Sequence, residues 1–117
     1  MKATDLRIGD WVEYHGIPHI VVGILSNDEV KITTLEGQNK WVRFTFTDKI
    51  NPISITPEIL EKNGWHYDDI DGEWYGFGFL IGGYSEEYVV LDGRRISHVH
   101  ELQHFLKDCK FDNEIVV

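Results

Sequence analysis

The chain has 117 residues and a formal net charge of −9, from 11 Lys+Arg against 20 Asp+Glu. Hydrophobic residues make up 42% and aromatic residues 13%, a globular profile that excludes a disordered chain, a coiled coil and a collagenous repeat. The single Cys109 excludes an intramolecular disulfide and a Cys-rich zinc knuckle.

No apolar run follows a basic start in the first twenty residues, which carry Lys2, Asp5, Arg7, Asp10 and Glu13, so no signal peptide is expected. The longest apolar stretch, Ile20 to Leu25, is interrupted by Gly23 and falls far short of the ~20 residues that span a bilayer. A cytoplasmic location is the resulting expectation, and a lone thiol suits it.

Residues 1–53 read as an all-β lobe. Asp10–His15 alternates, Gly16 and Pro18 turn the chain, and Ile20–Leu25 is rich in β-branched residues. Ser26-Asn27-Asp28 is turn chemistry, because short polar side chains bond their own backbone there. Glu29–Leu35 alternates next, Glu36-Gly37-Gln38-Asn39 turns again, and Trp41–Thr47 sets Trp41, Arg43 and Thr45 against Val42, Phe44 and Phe46. Short strands joined by tight turns predict a small barrel. The stretch Asp5-Leu6-Arg7-Ile8-Gly9-Asp10-Trp11-Val12, with Gly16 and Ile20-Val21-Val22-Gly23-Ile24 behind it, resembles the first hairpin of small Src-homology-type barrels of the KOW/Tudor kind. That resemblance bears on fold and not on function.

Asn51–Pro57 connects to a second lobe, residues 54–117. Thr56 suits an N-cap and Pro57 the first helical position, while Glu58 and Glu61 favour the positive end of a helix over about 57–63. Gly64 is the expected stop. Trp65–Ile70 reads as a strand, Asp71-Gly72 as a hairpin turn, Glu73–Ile81 as the returning strand and Gly82-Gly83 as its end. Glu87–Leu91, an Asp92-Gly93 turn and Arg94–Ile96 continue the meander. Ser97 then caps a helix through about Cys109, and Glu114–Val117 could add an edge strand. Together the lobes predict an α+β chain, a small barrel followed by an antiparallel meander with one or two helices.

His100-Glu101-Leu102-Gln103-His104 matches H-E-x-x-H, in which two histidines one turn apart hold zinc and the glutamate polarises a bound water. Against a zinc site stand the helical wheel and the third ligand, for which the downstream residues offer Asp108, Asp112 and Glu114 but no Gly or His at the longer metalloprotease spacing, where Lys107 and Lys110 stand. Val99, Leu102, Phe105, Leu106 and Cys109 cluster on one face, which sends His100 and His104 toward solvent and leaves Cys109 as inert core. His98, nearer the apolar face, reads as a partly buried, hydrogen-bonded histidine. In Trp74-Tyr75-Gly76-Phe77-Gly78-Phe79, the face of Tyr75, Phe77, Phe79 and Ile81 reads as core, with glycines that let a helix or an aromatic ring lie close. The alternative is a groove over Gly76 and Gly78 walled by Trp74. Asp68, Asp69, Asp71 and Glu73 resemble half of an acidic calcium loop but lack its closing glutamate, and Asp71-Gly72 already has a turn to make.

Two further stretches, Ile55-Thr56-Pro57-Glu58-Ile59-Leu60-Glu61-Lys62-Asn63-Gly64-Trp65 and Val99-His100-Glu101-Leu102-Gln103-His104, follow the opening Met1-Lys2-Ala3-Thr4-Asp5-Leu6-Arg7-Ile8-Gly9. In that order they resemble small proteins of Bacteroides-type bacteria and their phages. That group shares an M-K-x-x-D-L-R-I-G start, a P-L-T-E-E-x-L-x-K-x-G-F middle and a V-H-x-L-Q end. The resemblance implies a phage or mobile-element origin and brings no catalytic residues with it. The group's ending often reads H-Q-L-Q-N, without the glutamate or the second histidine, so H-E-x-x-H here reads as a variant of a structural helix.

The charge is divided unevenly. Residues 1–50 carry six basic and seven acidic side chains, a net of −1, and residues 51–117 carry five and thirteen, a net of −8. The second half would repel a phosphate backbone. These observations lead to a non-catalytic interaction module that uses no cofactor and meets a protein partner through its acidic lobe. The contact residues would be Asp68, Asp69, Asp71, Glu73, Trp74, Glu86 and Glu87. The alternatives are a minimal zinc hydrolase with His100 and His104 as ligands and Glu101 as base, and weak nucleic-acid binding by the first lobe through Lys31, Lys40, Arg43 and Lys49. An acidic mimic of DNA would share the charge argument of the leading reading.

Overall fold

A computed structural model describes residues 1–34, 42–76, 79–84, 89–91, 93–111 and 114–117, with backbone alone at 79–84 and 91. The architecture is α+β, built mostly from antiparallel strands with two helices, and it divides into two compact units, Met1–Ile53 and Ser54–Val117.

The opening motif of the first unit is a folded turn. The Asp10 carboxylate is buried and accepts the Arg7 N–H at 2.7 Å, while the Asp10 N–H donates to the Arg7 carbonyl at 3.1 Å. Gly9, at φ 99°, lets its own N–H reach the Val21 carbonyl at 2.7 Å. The motif thus delivers the chain into β1 (Trp11–Tyr14), which pairs with β2 (Ile17–Ile24). The turn between them is His15-Gly16, with φ of 51° and 74°. Both values are positive, as a two-residue hairpin matched to strand twist requires. Pro18, expected to turn the chain, instead lies in β2 opposite Glu13. The β3 pairing begins only at Ile20, so its missing N–H breaks no ladder bond there.

β3 (Glu29–Thr33), β4 (Val42–Phe46) and β5 (Ile50–Pro52) complete a sheet of order β4-β3-β2-β1-β5. A 3-10 turn at Thr47–Lys49 carries β4 into β5, which returns beside β1. Among the described residues no pairing joins β4 to β5, and the strands form an antiparallel sheet. Leu6, Val12, Val21, Val30, Ile32 and Ile50 form the core on one face, with Met1 and Tyr14 packed against it. The expected turn at Glu36–Asn39 and the residues Leu35 and Trp41 lie outside the described residues.

The second unit opens as its local signals predict. In α1 (Pro57–Lys62), Thr56 Oγ1 accepts the Ile59 N–H at 3.2 Å and Pro57 takes the first turn. At the far end Gly64, at φ 92°, lets its N–H reach the Glu61 carbonyl, and the Trp65 N–H reaches the Leu60 carbonyl at 3.0 Å. This pair of bonds satisfies the helix's last carbonyls and drops Trp65 into the core at 1% exposure.

The meander runs β6 (His66–Asp68), β7 (Glu73–Gly76), β8 (Phe79–Tyr84), β9 (Val89–Leu91) and β10 (Arg94–Ile96), in the sheet order β10-β9-β8-β7-β6. The single strand expected over Glu73–Ile81 is two strands, Glu73–Gly76 and Phe79–Tyr84, paired antiparallel to each other. Gly82-Gly83, expected as a turn, lies inside β8, where the register with β9 shifts. The face assignment of β7 also inverts. Trp74 is buried and Tyr75 is 40% exposed. The reason is Trp65, whose indole covers Gly76 so closely that a Cβ there would sit 2.5 Å from its Cδ1. An aromatic ring does lie on this glycine, and it makes the Trp74–Gly76 side the core. Phe77, Gly78, Tyr88 and Asp92 lie outside the described residues, as do the side chains of Phe79, Leu80 and Ile81.

α2 (Val99–Asp108) is capped by His98 rather than Ser97. The tail is no edge strand. The Asn63 side chain accepts the Val116 N–H at 2.8 Å and donates to the Val116 carbonyl at 2.7 Å, doing with one amide what a strand partner would do with its backbone. Lys62 Nζ donates to the Val117 carbonyl, and Ile115 is buried. Among the described residues no helix is long and apolar enough to cross a membrane.

Candidate interaction surface

The β6–β7 hairpin places the acidic run of the sequence on one tip. Register pairs His66 with Tyr75, Tyr67 with Trp74 and Asp68 with Glu73. His66, Asp68, Glu73 and Tyr75 therefore share the outer face, and Tyr67 and Trp74 the inner one. Between the strands the carboxylates bind backbone. Asp68 Oδ1 accepts the Ile70 N–H at 2.8 Å, the Asp68 carbonyl accepts the Gly72 N–H at 2.8 Å, and Asp71 Oδ1 accepts the Glu73 N–H at 3.3 Å. The Tyr75 hydroxyl donates to Asp71 Oδ2 and, at 3.3 Å, to Glu73 Oε2. Its hydrogen bond to Asp71, reinforced by the two carboxylate charges, raises the phenol above its ordinary range.

These bonds hold the loop and leave Ile70 97% exposed between Asp69 and Asp71. Asp69 and Asp71 are exposed, and Asp68 and Glu73 half-buried. Trp74, expected to wall a groove or to meet a partner, is 5% exposed and supports the hairpin from beneath, its ring 5.4 Å from that of Tyr67. Glu86 and Glu87 lie outside the described residues. Ile70 carried no sequence signal beyond being an apolar residue inside an acidic turn.

The H-E-x-x-H residues lie within α2. His100 is buried at 7% exposure, not turned to solvent. The wheel assumed cover from one side only, whereas the first turn of α2 is flanked by residues 54–55. Ser54 bridges to His98, and the Ile55 N–H reaches the Ser97 carbonyl. The rings of His98 and His100 stack at 5.8 Å, and His104 meets His100 edge-on at 5.7 Å. Glu101, the would-be base, turns back to the helix start. Its Oε1 accepts the His98 N–H at 3.1 Å and lies 2.9 Å from His98 Nδ1, one half of a capping box. His98 is half-buried and hydrogen-bonded, as expected. Among the described residues no three His, Cys, Asp or Glu side chains converge as a metal site. Cys109, expected in the core, is exposed, because it follows the end of α2 at Asp108 and residues 107–110 all face solvent.

Among the described residues the basic side chains of β3 and β4 form no single strip. Lys31 pairs with Phe44 across β3–β4 and Ile32 with Arg43, so Lys31 and Arg43 stand on opposite faces. Lys31 Nζ lies 5.0 Å over the Phe44 ring, and the Arg43 guanidinium lies 5.4 Å over Tyr14. Lys49 is exposed in the 3-10 turn, and Lys40 lies outside the described residues. On β4 the alternation was visible but its sense was not. Thr45 is buried, while Val42, Phe44 and Phe46 are exposed at 52%, 61% and 54%. Comparison of the chain with protein-family models, with curated proteins and with solved structures finds no match.

Proposed function

We propose that the chain is a non-catalytic interaction module whose acidic hairpin docks a protein partner that offers a basic, partly apolar segment. The observation that carries this reading is Ile70, almost wholly exposed on a turn locked by its neighbours' carboxylates. An apolar tip within an acidic collar offers burial and charge pairing together. A loop already held in shape loses little entropy on binding. The phage or mobile-element origin rests on the resemblance of the opening, middle and closing motifs.

A displayed peptide library tests the reading. The wild-type chain should select peptides that combine Lys/Arg with aliphatic residues. Ile70→Lys should abolish selection, and Asp69→Lys, which removes no described hydrogen bond, should weaken it roughly tenfold at low salt. Equal selection by the Ile70→Lys variant would overturn the proposal.

A second reading has its own observation. Phe44 and Phe46, exposed on one face with Lys31 over Phe44, are the parts of a stacking platform for single-stranded nucleic acid. A gel shift at ~50 mM salt that weakens with added salt and disappears in Phe44→Ala would support it. No shift at that salt would dispose of it.

A further inference from the structure

We propose that the first unit carries a second site, a pocket for a small phosphate monoester beside the His15-Gly16 turn. The pocket is a cavity of about 230 Å³ lined by Tyr14, His15, Ile17, His19, Thr34 and Arg43. It lies away from the exposed face of β4, and it is independent of the hairpin reading.

Three basic side chains gather on one ring there. The rings of His15 and His19 approach the Tyr14 ring edge-on at 4.1 and 5.4 Å, and the Arg43 guanidinium covers the Tyr14 ring at 5.4 Å. The described lining holds no carboxylate, in a chain with nearly twice as many acidic as basic residues. Glu13, the nearest acidic neighbour in sequence, points to the other face of β1, opposite Pro18. Among the described residues Arg43 has no ion-pair partner. A guanidinium and two imidazoles collected without a counter-charge are half of an ion-binding arrangement, and the missing half is an anion.

The backbone adds a second argument. His15 holds φ 51° without being glycine, in a position where asparagine or glycine is the easier choice. Strain of this kind marks residues kept for what their side chains do. His19 is 6% exposed, and its Nδ1 lies 2.8 Å from the Ile17 carbonyl, which assigns a hydrogen to that nitrogen. Nε2 is therefore the ring nitrogen that this bond leaves open to a ligand.

The donor count selects the ligand. The planar Arg43 fork fits a carboxylate or a phosphate equally. The two imidazoles and the hydroxyls of Tyr14 and Thr34 supply more donors than two carboxylate oxygens can take, and three phosphoryl oxygens accommodate them. The cavity has room for a small ester, and the net charge of −9 opposes a polyanion.

Inorganic phosphate and phenyl phosphate, titrated into the full chain at constant ionic strength, test the site by amide and imidazole NMR. Both should move His15, Gly16 and His19 saturably, and acetate should not. Arg43→Gln should weaken binding at least roughly tenfold, with amide positions elsewhere unchanged. His15→Asn, which suits the positive φ, should keep the turn and weaken binding too. Arg94→Gln, on exposed β10, should leave affinity as it was. Identical shifts with chloride, unaltered affinity in Arg43→Gln, or binding of single-stranded nucleic acid with none of phosphate would each overturn the proposal.

Discussion

Replacing Trp65 by alanine is expected to cost about 3–5 kcal/mol of stability, a large part of the roughly 5–15 kcal/mol that holds a domain folded. The side chain is 1% exposed, and the N–H of the same residue closes the end of α1. Its truncation empties the space above Gly76 while leaving that helix end intact. The complementary change is informative because it adds an atom. A Cβ at residue 76 would stand 2.5 to 2.8 Å from three indole atoms, and real contacts do not close to that distance. Either the indole or β7 must move, which costs about 1–3 kcal/mol for overpacking. Urea unfolding followed by circular dichroism measures both. A smaller ring should relieve the clash, so Gly76→Ala should cost less in a Trp65→Phe background than in the wild type. The difference is the coupling between two residues eleven positions apart. A Gly76→Ala variant within 0.5 kcal/mol of wild type (the usual range for a neutral surface change) would show that the indole does not rest on the strand.

That single contact explains most of what the sequence left unread in the second unit. The boundaries of α1 were legible because each signal acts within a few residues: a threonine hydroxyl on an N–H three residues on, a glycine in a left-handed stop. The Asp71-Gly72 turn was legible for the same reason. Alternation in Trp74-Tyr75-Gly76 was equally visible, yet a period of two has no sign. Whether tryptophan or tyrosine faces inward depends on where Trp65 lands, and no local rule reports that. His100 failed in a related way. A helical wheel finds the apolar arc but not the segment at 54–55 that flanks the first turn. Glu101 was the reverse case, because a glutamate three residues after a cap position is itself a local signal. The zinc-like spacing competed with it for the same residue. Of the candidate contact residues, Asp68, Asp69, Asp71 and Glu73 do gather on one tip, while Trp74 goes under it. Ile70 emerges only once the turn around it is built, since exposure belongs to the fold and not to the residue.

The sign of an alternation can be measured directly on β3 and β4. Ile32 and Phe44 stand on neighbouring strands, one residue apart in register and on opposite faces. Ile32 is fully buried among Val12, Val21, Val30 and Ile50, and Phe44 is 61% exposed. Ile32→Ala should cost about 2–5 kcal/mol and Ile32→Val about 0.5–1.5 kcal/mol. Phe44→Ala removes the larger side chain, but it gives up little buried area and one exposed cation–π contact with Lys31, worth about 0.5–1 kcal/mol. The order of costs is therefore the reverse of the order of side-chain size. Thermal unfolding of the three variants reads it directly. A slip of β4 by one residue would reverse that order, because it would turn Phe44 and Phe46 inward and Thr45 outward, the arrangement that their hydrophobicity alone would predict. Phe44→Ala should therefore leave the fold standing.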